Sequence, residues 1–233
     1  MSMKEKFIQI AENEQKVYEA GKQAEYDAFW DAFQNYGKRN RYIYGFAGSG
    51  WTADNFKPKY DIILSGNNNH AFNSNDAQID LAEYLESKGL KIDISGMTSA
   101  SELFRVSAFT RLPKLDFSKS GNLYFTFREC AYLHTLDEIK VAASNTYNNT
   151  FYGCTSLTEV RFSGEIGSSI DLHWSTLLSA ESINSILNSL STSTTGQTLS
   201  LPTTAEATYD AKYGAGAYSA KVDSISNWTI NEL

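Results

Sequence analysis

The sequence predicts an α+β fold, a short β-solenoid flanked by an N-terminal helix and a C-terminal helix and strand cap. Three observations predict it. Alternating apolar pairs recur at Ile92 and Ile94, Leu115 and Phe117, Ile139 and Val141, and Val160 and Phe162, at offsets of 23, 24 and 21 residues. Between them, Phe127-x-x-Cys130-x-x-Leu133 returns 24 residues later as Phe151-x-x-Cys154-x-x-Leu157. The segments before residue 60 and after residue 178 lack this period. Units of this length cannot bury an apolar face alone and must stack on their neighbours.

Taken in order, residues 1–36 read as an anchoring or oligomerisation helix. They hold no proline and are rich in Ala, Glu, Lys and Gln, all good helix formers. Phe7, Ile10, Val17 and Ala24 fall on a seam of alternating 3 and 4 spacing, which Glu14 and Gly21 weaken. From Tyr26 a second stripe follows through Phe29, Trp30 and Phe33, a broad aromatic face that needs covering. Residues 37–59 form a linker in which Gly45, Gly48 and Gly50 alternate with Tyr44, Phe46, Trp51 and Phe56; such aromatics pack a connector onto its neighbour.

The solenoid is expected over residues 60–178, with its first strand at Tyr60 to Leu64. A helix over Asp76 to Ser87 follows, with Ile79, Leu81, Ala82 and Leu85 inward and Gly89 as its stop. Alternation turns both members of each apolar pair towards the core. Val106, Phe109 and Leu112, at an offset of 21 from Phe127, Cys130 and Leu133, read as a degenerate first copy of the repeat. Residues 179–233 form the cap: Ser179 is placed to start a helix bearing Ile183, Ile186, Leu187 and Leu190. Thr198 to Leu201 and Trp228 to Ile230 read as strands.

Composition narrows the function. With 42% hydrophobic and 20% charged residues the chain is an ordinary globular protein, and its net charge of -7 opposes binding that depends on neutralising phosphates. No secretory signal and no apolar run long enough to span a bilayer is visible, so no membrane insertion is expected. Cys130 and Cys154 share one repeat position, and stacked neighbours about 5 Å apart are within reach of a disulfide. Two small buried thiols are the preferred reading. No nucleophile elbow, zinc helix or phosphate loop occurs, and His70, His134 and His173 have no carboxylate at a telling spacing. No catalytic residue, metal ligand or cofactor is expected.

The unit built on Phe127-Cys130-Leu133 and Phe151-Cys154-Leu157 resembles the BspA-like leucine-rich repeats, from which the Val106-Phe109-Leu112 copy departs. The flanks, including Glu19 to Asp27, Phe29 to Gln34, Phe56 to Asp61, Leu172 to Ser175 and Asn227 to Ile230, are similar to phage and prophage tail-associated proteins of gut Firmicutes. The resemblance implies a virion protein of the tail, baseplate or a fibre, assembled in the host cytoplasm and self-associating, with a trimer favoured. It would contact other virion proteins and display its repeats for host-surface recognition. A glycan- or protein-binding surface adhesin, or a capsid or neck decoration protein, is the alternative. Tyr124, Tyr132, Tyr147 and Tyr152 are the candidate ligand surface.

Overall fold

The computed structural model describes residue 24, residues 46–48, 51–54, 56–58 and 61–67, and residues 69–233. Of the residues expected to anchor or oligomerise the chain, Phe7, Ile10, Val17, Tyr26, Phe29, Trp30 and Phe33 lie outside them; Ala24 is helical and exposed.

In chain order the elements are β1 (Ile62–Asn67), α1 (Leu81–Ser87), β2 (Ile92–Ser99), β3 (Arg111–Leu112), β4 (Leu115–Asp116), β5 (Thr135–Val141), β6 (Glu159–Gly164), β7 (Ile170–Asp171), α2 (Ala180–Ser189), β8 (Gln197–Leu201), α3 (Ala205–Tyr213), α4 (Ala217–Asp223) and β9 (Trp228–Glu232). All strand pairs among the described residues are parallel.

The expected short β-solenoid of leucine-rich repeats is not what forms. The strands divide among three separate sheets, of two (β1-β2), four (β3-β5-β4, with β6 on β5) and three strands (β7-β8-β9), alongside four helices among the described residues. The fold is mixed α/β. Two local irregularities also interrupt the four-stranded sheet itself. Pro113 separates the two-residue strands β3 and β4, because a proline cannot donate to a ladder. Pairing of β5 with β6 slips between Leu136 and Ile139, where Asp137 and Glu138 together oppose Arg161 alone.

The helices begin and end by local chemistry. The Asp80 carboxylate accepts from Glu83 N at 2.8 Å and starts α1 at Leu81, five residues later than the helix expected from Asp76. Gly89, at φ +65°, ends it, with Leu90 N donating back to Leu85 O at 2.8 Å. Ser179 caps α2 through Ser182 N at 3.2 Å, and Ile183, Ile186 and Leu187 are buried. Residues 202–227, for which no element is expected, fold as α3 and α4; Asp210 joins them by accepting from Gly216 N and Tyr218 N at 2.6 and 2.8 Å.

All the apolar repeat positions, from Ile92 and Ile94 through Leu115, Phe117, Leu133, Ile139, Val141, Leu157 and Val160 to Phe162, are buried in one core. Its axis is a column of five phenylalanines. Phe46, Phe72, Phe104, Phe127 and Phe151 stack with successive centroid separations of 5.1, 4.9, 5.7 and 5.5 Å and interplanar angles of 22° or less. The copy before Phe127 is therefore Phe104-x-x-Ser107, at an offset of 23, and the one before that is Phe72-x-x-Asn75. The Val106-Phe109-Leu112 alignment is wrong: Val106 is 40% exposed, and Leu112 pairs with Leu136 instead of Leu133. Phe56 and Trp51 close the first end of the column by packing edge-on to Phe46, at 5.4 and 5.8 Å.

Candidate functional site: an aromatic ridge on the turn ladder

The segments that carry the column are tight turns, each with two left-handed residues four apart: Glu102 and Val106, Phe125 and Glu129, Asn149 and Gly153. For a residue with a Cβ that conformation costs about 1–2 kcal/mol, so something must hold it. Backbone bonds between successive turns do so. Glu102 N, Phe104 N and Val106 N donate to Tyr124 O, Thr126 O and Arg128 O at 2.9, 2.9 and 2.8 Å. Phe125 N, Phe127 N and Glu129 N repeat the pattern to Asn148 O, Thr150 O and Tyr152 O at 3.1, 3.0 and 2.6 Å.

Buried polar side chains satisfy the carbonyls this leaves inside. Thr126 and Thr150 hydroxyls donate to Ala100 O and Leu123 O at 2.9 and 2.7 Å. The Cys130 and Cys154 thiols donate to Phe104 O and Phe127 O at 2.9 and 3.0 Å. Both cysteines are free and buried. Burial pushes the Cys130 thiol up to about 11 and Cys154 well above its ordinary value. These thiols are structural donors.

Because Phe104, Phe127 and Phe151 point inward, the residue after each points out, giving a row of Arg105, Arg128 and Tyr152. Arg105 donates to Glu102 at 2.8 Å, and Glu102 also accepts from Asn73 at 3.2 Å, with His70 Nδ1 3.3 Å away. The other end is aromatic. The Arg128 guanidinium lies 4.9 Å from the Tyr152 ring centre and 5.3 Å from that of Phe125, and it donates to Glu129 at 3.2 Å. Tyr152 packs on Trp174, centroids 4.9 Å apart at 54°. Trp174 in turn meets His173 at 5.0 Å, and His173 Nδ1 donates to Asp171 Oδ1 at 2.6 Å. Tyr152 and Trp174 remain 36% and 39% exposed.

Of the four tyrosines picked out from the sequence, Tyr152 alone belongs to this ridge. Tyr124 and Tyr132 are exposed, but neither ring packs on another aromatic ring among the described residues. Tyr147 is 4% exposed and cannot take part as a surface residue. Trp174 is the member missed. It lies 22 residues after Tyr152, close to the repeat length, and that spacing was the available signal. Two histidines also have carboxylate neighbours that spacing did not single out, Asp171 for His173 and Glu102 for His70.

The outer face of the four-stranded sheet carries a groove of about 440 Å³ lined by Arg111, Lys114, Asp137, Glu159 and Arg161. Its charges largely satisfy one another: Arg111 grips Asp137 through two bonds of 2.7 and 3.0 Å, and Lys114 lies 3.1 Å from Glu138. The ridge offers a ligand more unsatisfied ring surface than this groove does. Among the described residues there is no group of three or more His, Cys, Asp or Glu that could hold a metal, and no helix long and apolar enough to cross a membrane. Comparison with known protein families, with curated proteins and with solved structures finds no match to this chain.

Proposed function

We propose that this chain is a non-enzymatic structural component of a phage virion, in the tail, baseplate or a fibre, and that its turn ridge recognises the host surface. The observation that carries the reading is the pair of exposed rings, Tyr152 and Trp174, with the half-buried Arg128 beside them, set next to a buried aromatic column. Rigid exposed rings with a cation beside them are the groups that anchor recognition surfaces. The groups on this ridge are suited to contact, and the buried thiols beneath it are suited to support.

In this reading the chain is carried in the virion as a homo-oligomer, a trimer by preference, held through residues 1–36 and attached to other virion proteins. It works without a cofactor. Immunogold labelling of particles with an antibody to the purified chain tests the placement: label at the tail supports it, and particles that carry none of the chain sink it. A surface adhesin would use the same ridge, and label on bacterial cells instead of particles identifies that case. Deleting residues 1–34 should convert the oligomer to a monomer in analytical ultracentrifugation while the far-ultraviolet spectrum of the remainder persists.

A further inference from the structure

We infer that the ridge around Trp174 binds a neutral saccharide, the sugar's C–H face stacking on Tyr152 and Trp174 while Arg128, Glu129 and Asp171 bond its hydroxyls. This rests on the reading of the ridge as the recognition surface and adds its ligand class. Three features favour a sugar over other occupants.

First, the ring surface is small and broken. Two exposed rings tilted by 54° are framed by charged groups, which does not suit the continuous apolar face of a docking helix. It suits a ligand that alternates apolar faces with hydroxyls. Second, the ridge has no surplus positive charge. Arg128 is paired with Glu129 at 3.2 Å and His173 with Asp171 at 2.6 Å, and the whole chain carries -7. An anionic polymer needs uncompensated cations. Third, hydrogen-bonding capacity remains beside the rings. Asp171 commits Oδ1 to both His173 N and Nδ1, at 3.0 and 2.6 Å, and its Oδ2 has no partner among the described residues. Glu129 is similarly engaged only through Oε1. Both carboxylates can accept from a hydroxyl without breaking the pairs that hold Arg128 and His173 in place.

The test uses the full chain, titrated by isothermal calorimetry with chitotetraose, maltotetraose and cellotetraose as neutral probes and dextran sulfate as the anionic one. At least one neutral tetrasaccharide should bind at millimolar concentration or better. Trp174→Ala should weaken it about tenfold or more and Tyr152→Ala by a smaller factor. Tyr213→Ala, which removes an equally exposed ring on α3, should leave it unchanged. Circular dichroism confirms that each variant is folded. Binding of no neutral probe, binding of dextran sulfate alone, or undiminished binding by a folded Trp174→Ala each overturns the inference. Adsorption of the same variants to whole cells of gut Firmicutes separates this failure from that of the recognition reading. If Trp174→Ala abolishes adsorption while no neutral sugar binds, the ligand class is wrong and the recognition surface stands. If Trp174 is dispensable in both assays, both fall.

Discussion

Replacing Phe127 with alanine tests the column on which everything else is mounted. The ring is wholly buried, stacked on Phe104 at 5.7 Å and Phe151 at 5.5 Å and met edge-on by Phe117 at 6.0 Å. Removing a buried phenylalanine costs about 3–5 kcal/mol in transfer and cavity terms. Three ring pairs, each adding about 0.5–1.5 kcal/mol, place this site at the upper end. Against a total of about 5–15 kcal/mol, that is a large fraction of the stability. For a chain of this size it lowers Tm by about 10 °C or more. Urea unfolding followed by circular dichroism should show a lower midpoint at unchanged slope. Phe104→Ala should cost nearly as much, because it occupies the same position one turn earlier. Val106→Gly should be neutral or stabilising by up to about 1 kcal/mol, since it relieves a β-branched residue at φ +57°. A loss below about 2 kcal/mol for Phe127→Ala, or a greater loss for Val106→Gly than for Phe104→Ala, would refute the register.

Three further outcomes are expected. Gly164→Ala should abolish soluble expression or sharply lower Tm, because Gly164 sits at φ +89° and a Cβ there would collide with the Val141 carbonyl; Gly121→Ala, which meets open space, should be silent. Asp93 is held below its ordinary carboxyl value of 3.8 by the Ser95 hydroxyl and amide, and Glu138 below 4.5 by Ser163 and then Lys114. At Asp116 burial acts upward, but the Ser118 hydroxyl and Lys140 outweigh it and the net shift from 3.8 is downward. Stability from these groups is present above those ordinary values and is lost as the pH falls through them towards the depressed folded ones. Thermal melts from pH 6 to 3 should therefore decline, less steeply in Ser95→Ala and Glu138→Gln, and an identical profile in both variants would count against the assignment. Both cysteines should resist Ellman's reagent at pH 8 until urea unfolds the chain, since the reactive thiolate is suppressed by burial; prompt labelling of the native chain would contradict the buried ladder.

What could be read from the sequence was the spacing, and what could not was its phase. Phe127, Phe151, Cys130 and Cys154 share residue types, so their equivalence is visible at an offset of 24. Phe104 and Phe72 carry Ser107 and Asn75 three residues on, where the later copies have cysteine. Asn75 keeps the donor role, its amide reaching Phe46 O at 2.8 Å, whereas the Ser107 hydroxyl meets Cys130 Sγ at 3.5 Å, so the residue type at this position changes with its partner. Without that anchor Val106 was a reasonable but wrong match. The strand pairs were readable from alternation, yet their division into three sheets was not, because among the described residues no ladder joins β2 to β4 or β6 to β7 although the apolar alternation runs on through them. Tyr147 and Tyr152 lie five residues apart in one irregular segment, yet the first is 4% exposed and the second 36%. Trp174 lies 22 residues after Tyr152, near the repeat length, but it shares no Phe-x-x-Cys motif that would mark it as a further copy.

The ridge inherits its geometry from the column beneath it. Arg128 follows Phe127 and Tyr152 follows Phe151, so the 5.5 Å separation of the buried rings sets the approach of the outward side chains, observed as 4.9 Å between guanidinium and ring. The carbonyl ladder fixes the same two segments a second time, through Phe127 N to Thr150 O and Glu129 N to Tyr152 O. A surface held from both sides would have little ordering left to do on binding a ligand, and the cost of association would fall accordingly. The consequence separates support from contact: Phe151→Leu keeps the core apolar but removes the stacked ring. If the column sets the ridge, that variant should remain folded and bind the ridge's ligand more weakly, although Phe151 is 1% exposed and cannot touch it. Unchanged binding by a folded Phe151→Leu would show that Tyr152 and Trp174 hold one another in place without the column.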